Sequence, residues 1–331
     1  MGEAVNFKYY LPFDSMGDML DYYQQSLEAG NRSSKTISWY REILERFFNF
    51  LGSSGQLKPL SQLGKKELEA YILYLHQATK WPNMKYGKAS LSHHLSPFTI
   101  QGHVRAIKAF WGWLYGEGFI SENPLAKSPL PKVPKNIVKT LSKEDISKLL
   151  NEVDRQTPLG FKYYCVLLIL LDTGLRVSEL AGIKMGDISI SEGLIKITGK
   201  GQKERMVPFC KTTRKVITKY TSQFRQSLCP QESPYLFAKR DGDNVTIGSI
   251  QQYIRRLAGK AGLQGIKCSP HIFRHTFATQ AVANEAHPFV LKEIMGHESL
   301  QTTLKYTNLT ASEIKKQHSK FSPVAGLIKG K

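Results

Sequence analysis

Apolar side chains recur along this chain at two different spacings, helical over most of it and strand-like in one short stretch, and a segment with neither divides it. In "SSKTISWYREILERFFNFL", starting at Ser33, Ile37, Tyr40, Leu44, Phe47 and Leu51 fall on one helical face, and Gly52 follows as a stop. "KKELEAYILYLHQ" (65–77) and "SPFTIQGHVRAIKAFWGWLYGEG" (96–118) repeat the pattern, so residues 14–123 are expected to be all-helical, after an extension of residues 1–13. "NPLAKSPLPKVPKN" (123–136) then breaks every period with prolines and lysines, and predicts a semi-rigid basic linker over 124–138.

A new pattern opens at "TLSKEDISKLL", where Ser142 is placed to cap a helix with acids in its first turn. "KYYCVLLILLDTG" has no polar face, which predicts a buried helix stopped by Gly174, and "RVSELAGIKMGDI" predicts the next one. In "GLIKITGKGQKERMVPF" the period changes, and β-branched residues on both sides of "GKGQK" predict a hairpin with Lys200 and Lys203 near its tip. Helix returns afterwards: "NEAHPFVLKEIMG" ends at Gly296, His297 lies beyond that stop, and "SLQTTLKYTNL" restarts with Ser299 as cap. The expectation is a helical first domain, a mixed α/β second domain over 139–321 that is mainly helical with a small antiparallel sheet, and a tail of residues 322–331.

Composition narrows the partner. Lys plus Arg number 46 against 27 Asp plus Glu, a net charge of +19, which suits a polyanion. The longest apolar run, "VLLILL", is far too short to span a bilayer, and the N-terminus has no secretory pattern, so a cytoplasmic, nucleoid-associated protein is expected. The four cysteines have no paired spacing, which leaves them as reduced structural thiols and predicts no metal site.

The stretch "SPHIFRHTFATQ" carries chemistry. Ser269 reads as an N-cap with Pro270 in the first helical position, which puts His271 near the positive end of the helix and Arg274 three residues on, along the same face. Helix starts favour anions and an arginine fork matches phosphate oxygens, so a phosphate ligand suits the pair. His275 is read as pointing off that face. Taken alone, the stretch fits an ordinary capped helix with structural hydrogen bonds better.

The combination with other positions decides between these readings. Arg176 in "TGLRVSEL", Lys200 in the hairpin 24 residues later, "HIFRHTFAT", and His297 in "GH" nine residues before Tyr306 occur in one order along nearly the whole chain. That order resembles the tyrosine recombinases of the lambda-integrase family, most closely Xer-like and mobile-element-encoded members. The resemblance implies a helical, SAM-like core-binding domain and a catalytic domain with the DNA breaking-rejoining fold.

It also implies that Tyr306 attacks the scissile phosphate to give a 3′-phosphotyrosyl link, without cofactor, metal or ATP. Arg176, Arg274 and His297 would hold the phosphate, His271 would act as base, and Lys200 as acid. Double-stranded recombination sites would be bound by two protomers each and four at synapsis, with strands exchanged through a Holliday junction. Lys35, Arg41, Arg105, Lys108, Lys203 and Arg205 are basic positions open to a DNA-backbone role. A type IB topoisomerase shares the chemistry but typically places lysine where His271 stands, and a catalytically silent DNA-binding regulator would not need Tyr306. Integration, excision, dimer resolution and transposition are all compatible with the sequence.

Overall fold

The computed structural model describes residues 16–56, 58–78, 94–134, 139–199, 203–263, 265–297 and 299–304. The chain divides into two units, Met1–Asn136 and Ile137–Lys331, each with its own core.

The first unit is built from four helices among the described residues: α1 (Met16–Ala29), α2 (Ser34–Ser53), α3 (Lys65–Gln77) and α4 (Pro97–Gly116). Ser33 and Ser96 start α2 and α4 by accepting from the amides of Thr36 and Thr99, and Pro97 fills the first turn of α4, where no amide is needed. Leu44, Phe47 and Leu51 of α2 pack with Tyr71 of α3 and with Phe110 and Trp111 of α4. Each such side chain contributes about 1.5–3 kcal/mol by burial. Helix α1 was not singled out by periodicity, yet it buries Met19, Leu20 and Tyr23 in the same core. Inside that core His103 shares a 3.0 Å hydrogen bond with Tyr71, and burial pushes its pKa down to about 4.

The expected linker is partly a structural strap. Asn123 turns the chain by accepting from the Leu125 amide, Leu125 and Ser128 are buried, and Lys108 of α4 donates to the carbonyls of Ala126 and Ser128. Gln101 holds the Pro131 carbonyl at 2.8 Å. Proline spacing signals lost periodicity and is blind to such side-chain stitches, which is why this stretch read as a semi-rigid linker with no anchors of its own.

The second unit runs α5 (Lys143–Asn151), α6 (Pro158–Thr173), α7 (Val177–Ala181), β1 (Ile188–Ser189), β2 (Leu194–Thr198), β3 (Glu204–Pro208), α8 (Lys211–Lys219), α9 (Arg225–Leu228), α10 (Ile247–Lys260), α11 (Pro270–Ala283), α12 (Pro288–Met295) and α13 (Leu300–Leu304). Its sheet has the order β1-β2-β3, all antiparallel, with Ile195 opposite Val207 and Ile197 opposite Arg205. Ser142 and Asp145 cap α5 reciprocally, and α6 is buried nearly all round against α11 and the rest of the core.

Helix α7 is a correction. "RVSELAGIKMGDI" predicts one longer helix, but the α-helix covers only Val177–Ala181, and a single 3-10 turn follows at Met185–Asp187. Beyond it the backbone turns to pair elsewhere: the Leu236 amide donates to Ile183, the Met185 amide donates to Pro234, and Lys184 bridges Tyr235. These bonds pull the chain out of the helix at Ile183 and Lys184, so tertiary pairing overrides local preference.

Gly174 ends α6 at φ +62, and a Cβ there would lie 2.4 Å from the Phe277 ring. The left-handed turn and the close approach of α11 both require glycine.

Candidate active site

Three arginines from distant parts of the second unit meet the last turn of α12. The final carbonyls of a helix have no partner inside it and carry the negative end of its dipole. Here they are taken in sequence: Arg205 Nε donates to Ile294 O at 2.9 Å, Arg274 Nη2 to Met295 O at 2.7 Å, and Arg176 Nη2 to Gly296 O at 3.1 Å. Gly296 leaves the helix at φ +63, the left-handed conformation that turns its carbonyl outward.

Each arginine has a second anchor. Arg274, 5% exposed, also donates to Gly174 O at 2.7 Å, so it ties the ends of α6 and α12 to α11. Arg176 stands at the N-cap of α7 and donates to Glu179 Oε1 at 2.9 Å, while Glu179 Oε2 accepts from the Arg176 amide at 2.8 Å. Arg205 forks onto both oxygens of the same carboxylate, at 3.1 and 2.9 Å. Burial pulls the Glu179 pKa up, but the hydrogen bonds from Arg205 and the Arg176 amide outweigh it and hold it below the ordinary carboxylate range.

Two histidines flank this group. His271 lies in the first turn of α11, and partial burial, then Arg274 and Arg176, lower its pKa. His297 follows Gly296, shares a 2.8 Å hydrogen bond from Nδ1 with Thr303 of α13, and is pushed down to about 4 by burial and by Arg274, Arg176 and Arg205. Both rings are therefore neutral at pH 7. A neutral ring can accept a proton or present a single N–H, according to its tautomer.

Of the expected catalytic residues, Arg176, Arg274 and His297 gather at the end of α12, and His271 stands close enough to two of these arginines for them to lower its pKa. Lys200 and Tyr306 lie outside the described residues. Ser269 occupies the N-cap of α11 as expected, but its side chain makes no capping bond. His275 does not point away: its ring meets His271 edge-on at 4.3 Å, because a residue four positions on falls on the same helical face.

Three of the expected DNA-backbone positions are engaged within the protein. Arg41 pairs with Asp21 at 2.5 Å and Glu45 at 2.8 Å, Lys108 holds the strap, and the Arg205 side chain is 13% exposed beneath the hairpin. Basic residue type alone could not separate these from Lys35, Arg105 and Lys203, which are exposed.

Glu179 and Thr303 were not picked out as site residues. The spacing of Arg176 and Glu179, three apart at a helix start, is a capping pattern that could have identified the first. Among the described residues no group of three His, Cys, Asp or Glu side chains could hold a metal, and no helix is long and apolar enough to cross a membrane.

Residues 139–313 match the Phage integrase family, and residues 18–130 match the Phage integrase SAM-like domain. Tyrosine recombinase XerD of Listeria monocytogenes is 28% identical, across 94% of this chain and 100% of that protein. Tyrosine recombinase XerC of Oceanobacillus iheyensis is 30% identical, across 89% and 92%. Among solved structures, the Tn1549 transposon integrase in complex with transposon right end DNA superposes with a TM-score of 0.71 at 20% identity, covering 92% of this chain and 99% of that one. A lambda integrase dimer bound to a COC′ core site gives 0.67 at 16%, covering 88% and 94%.

The fold, a SAM-like helical unit followed by a helical unit with a three-stranded antiparallel sheet, is that of enzymes that recombine DNA at specific sites. The chain belongs to the phage integrase family, as a Xer-like tyrosine recombinase. These likenesses favour recombination over the topoisomerase and the silent DNA-binding readings.

Proposed function

We propose that this recombinase breaks and rejoins DNA through Tyr306, with the group at the end of α12 as its phosphate site. The observation that carries the reading is the convergence of Arg176 and Arg274 on the adjacent carbonyls of Gly296 and Met295, which sets two cations side by side before any DNA arrives. Phosphodiester exchange places extra negative charge on the phosphate oxygens, and fixed cations offset it most where water is excluded.

The Tyr306 hydroxyl, with an ordinary pKa of about 10, gives its proton to neutral His271 as its oxygen bonds to phosphorus. The bond from phosphorus to the 5′-oxygen breaks, and Lys200 supplies the proton that makes that oxygen a free hydroxyl. With Nδ1 accepting from Thr303, His297 offers its Nε2–H to a phosphate oxygen. The link between tyrosine and the 3′-phosphate retains the energy of the broken bond, so the reverse step with a new 5′-hydroxyl needs no nucleotide.

Each chain supplies one such nucleophile, and exchange between two duplexes breaks four strands. Two protomers on each double-stranded site and four at synapsis satisfy that count, with a Holliday junction between the two rounds.

The test is a nicked, end-labelled site whose cleaved fragment diffuses away. Wild-type protein is expected to give a covalent complex that survives detergent and maps to Tyr306, with EDTA present or absent, and Tyr306→Phe is expected to bind the site without forming it. A covalent complex of unchanged yield in Tyr306→Phe would assign the nucleophile elsewhere.

A further inference from the structure

Strand β3 leaves the hairpin with Arg205 and Val207 on one side and Glu204, Met206 and Pro208 on the other. The first side faces inward, where Val207 is fully buried. A charged residue on the inward side of a strand loses hydration, and such residues persist when paired and hydrogen-bonded. Arg205 is multiply bonded: two bonds go to Glu179 and one to the carbonyl of Ile294.

The surroundings are shaped for it. A Cβ on Gly296 would sit 2.8 Å from Arg205 Cζ, so a side chain at that helix stop would force the guanidinium off its present bonds. At the mouth of the hairpin, where the Gly199 amide donates to Lys203 O at 2.8 Å, a Cβ on Gly199 would be 3.5 Å from Arg205 Nη1. One side chain on the hairpin's β3, opposite Ile197, thus reaches the carboxylate that holds Arg176 and the helix end that holds Arg274.

We infer that Arg205 is a positioning residue for strand transfer: it locks strand β3, and with it the base of the hairpin in whose sequence Lys200 falls, to the end of α12 where Arg176 and Arg274 are held. This rests on the reading of Lys200 as the acid that protonates the leaving oxygen. A residue that contacted the DNA backbone would instead change affinity and its salt dependence.

The experiment compares full-length wild type, Lys200→Ala, Arg205→Ala and Arg205→Lys on a normal site and on one with sulfur at the 5′-bridging position, which leaves without a proton. Misplacing the acid is expected to slow Arg205→Ala by about 100-fold on normal DNA. Most of that loss should return on the sulfur substrate, as it should for Lys200→Ala, at unchanged DNA affinity. Arg205→Lys keeps the charge but not the fork, and should fall between; it also serves if the alanine variant does not fold.

Limited trypsin cleavage after Lys200 and Lys203 reads the anchoring directly, and should quicken at least tenfold in the Arg205 variants with no matching change at distant sites. Failure of Lys200→Ala to recover on sulfur would overturn the assignment of the acid, and the hairpin cleavage rate then decides on Arg205 by itself. Unchanged hairpin cleavage, equal slowing of Arg205→Ala on both substrates while Lys200→Ala recovers, or a loss of affinity with a shallower salt slope would each overturn the inference.

Discussion

Arg274 and Arg176 donate to neighbouring carbonyl oxygens, Met295 O at 2.7 Å and Gly296 O at 3.1 Å, so one helix end aligns two cations. Like charges this close repel, and the negative end of the α12 dipole together with Glu179 offsets that repulsion.

Removing the charge of Glu179 while keeping its shape therefore unbalances the site. Glu179→Gln is expected to lower unfolding free energy by about 3–5 kcal/mol, the usual cost of breaking a buried pair by changing one partner. Denaturant titration measures this, and a midpoint equal to wild type would mean that the carboxylate is not what holds Arg176 and Arg205.

Gly174→Ala meets both a left-handed backbone and the Phe277 ring. The backbone alone costs about 1–2 kcal/mol, and the ring contact adds to it. In a double-mutant cycle with Phe277→Ala, the pair should be less destabilised than the sum of the single changes. Strict additivity would show that the ring plays no part.

Stability should fall on mild acidification. His103 in the first unit and His297 in the second have folded pKa values of about 4 against an ordinary 6.5. Below 6.5 the unfolded chain binds protons that the folded one refuses, so stability is full above 6.5 and is lost as pH falls towards 4, by on the order of 3 kcal/mol for each histidine. Melting temperatures between pH 7.5 and 4.5 test this, and His103→Gln should make the decline shallower while lowering the value at pH 7.5. A melting temperature flat across that range would rule out buried neutral histidines.

DNA binding should separate the basic positions. Lys35→Ala and Arg105→Ala, at exposed positions, should weaken binding and reduce the salt slope by about 1 each if they meet phosphate. Arg41→Ala and Lys108→Ala should leave the slope unchanged and lower stability, because their partners are Asp21, Glu45 and the strap carbonyls. A reduced slope in Arg41→Ala would put that side chain on DNA.

The fold was legible wherever one helical face or one strand period governs burial. Helix α3 begins and ends where its apolar spacing predicts, and Gly174 and Gly296 stop α6 and α12 as glycine should. Helix α7 was misjudged because its continuation pairs with residues 234–236, a relationship that no local window contains. Arg176, Arg274 and His297, which the fold gathers at the end of α12, were named for their order along the chain. The bonds of Arg205 were not legible, since an arginine near a hairpin reads as a contact for the DNA backbone until Glu179 and Ile294 are brought beneath it.

The acceptors that α12 offers the three arginines are main-chain carbonyls, and this sets how the site tolerates mutation. Replacing the side chains of Ile294 or Met295 leaves the oxygens where they are, so these positions can drift in identity with the anchors intact, within what the core admits. Gly296 has less freedom, because its left-handed backbone strains any other residue and a Cβ there would push on the Arg205 guanidinium. A proline at Gly296 or His297 is a different hazard: it removes the amide that closes the turn onto Glu293 or Lys292, and all three arginines would lose their footing at once.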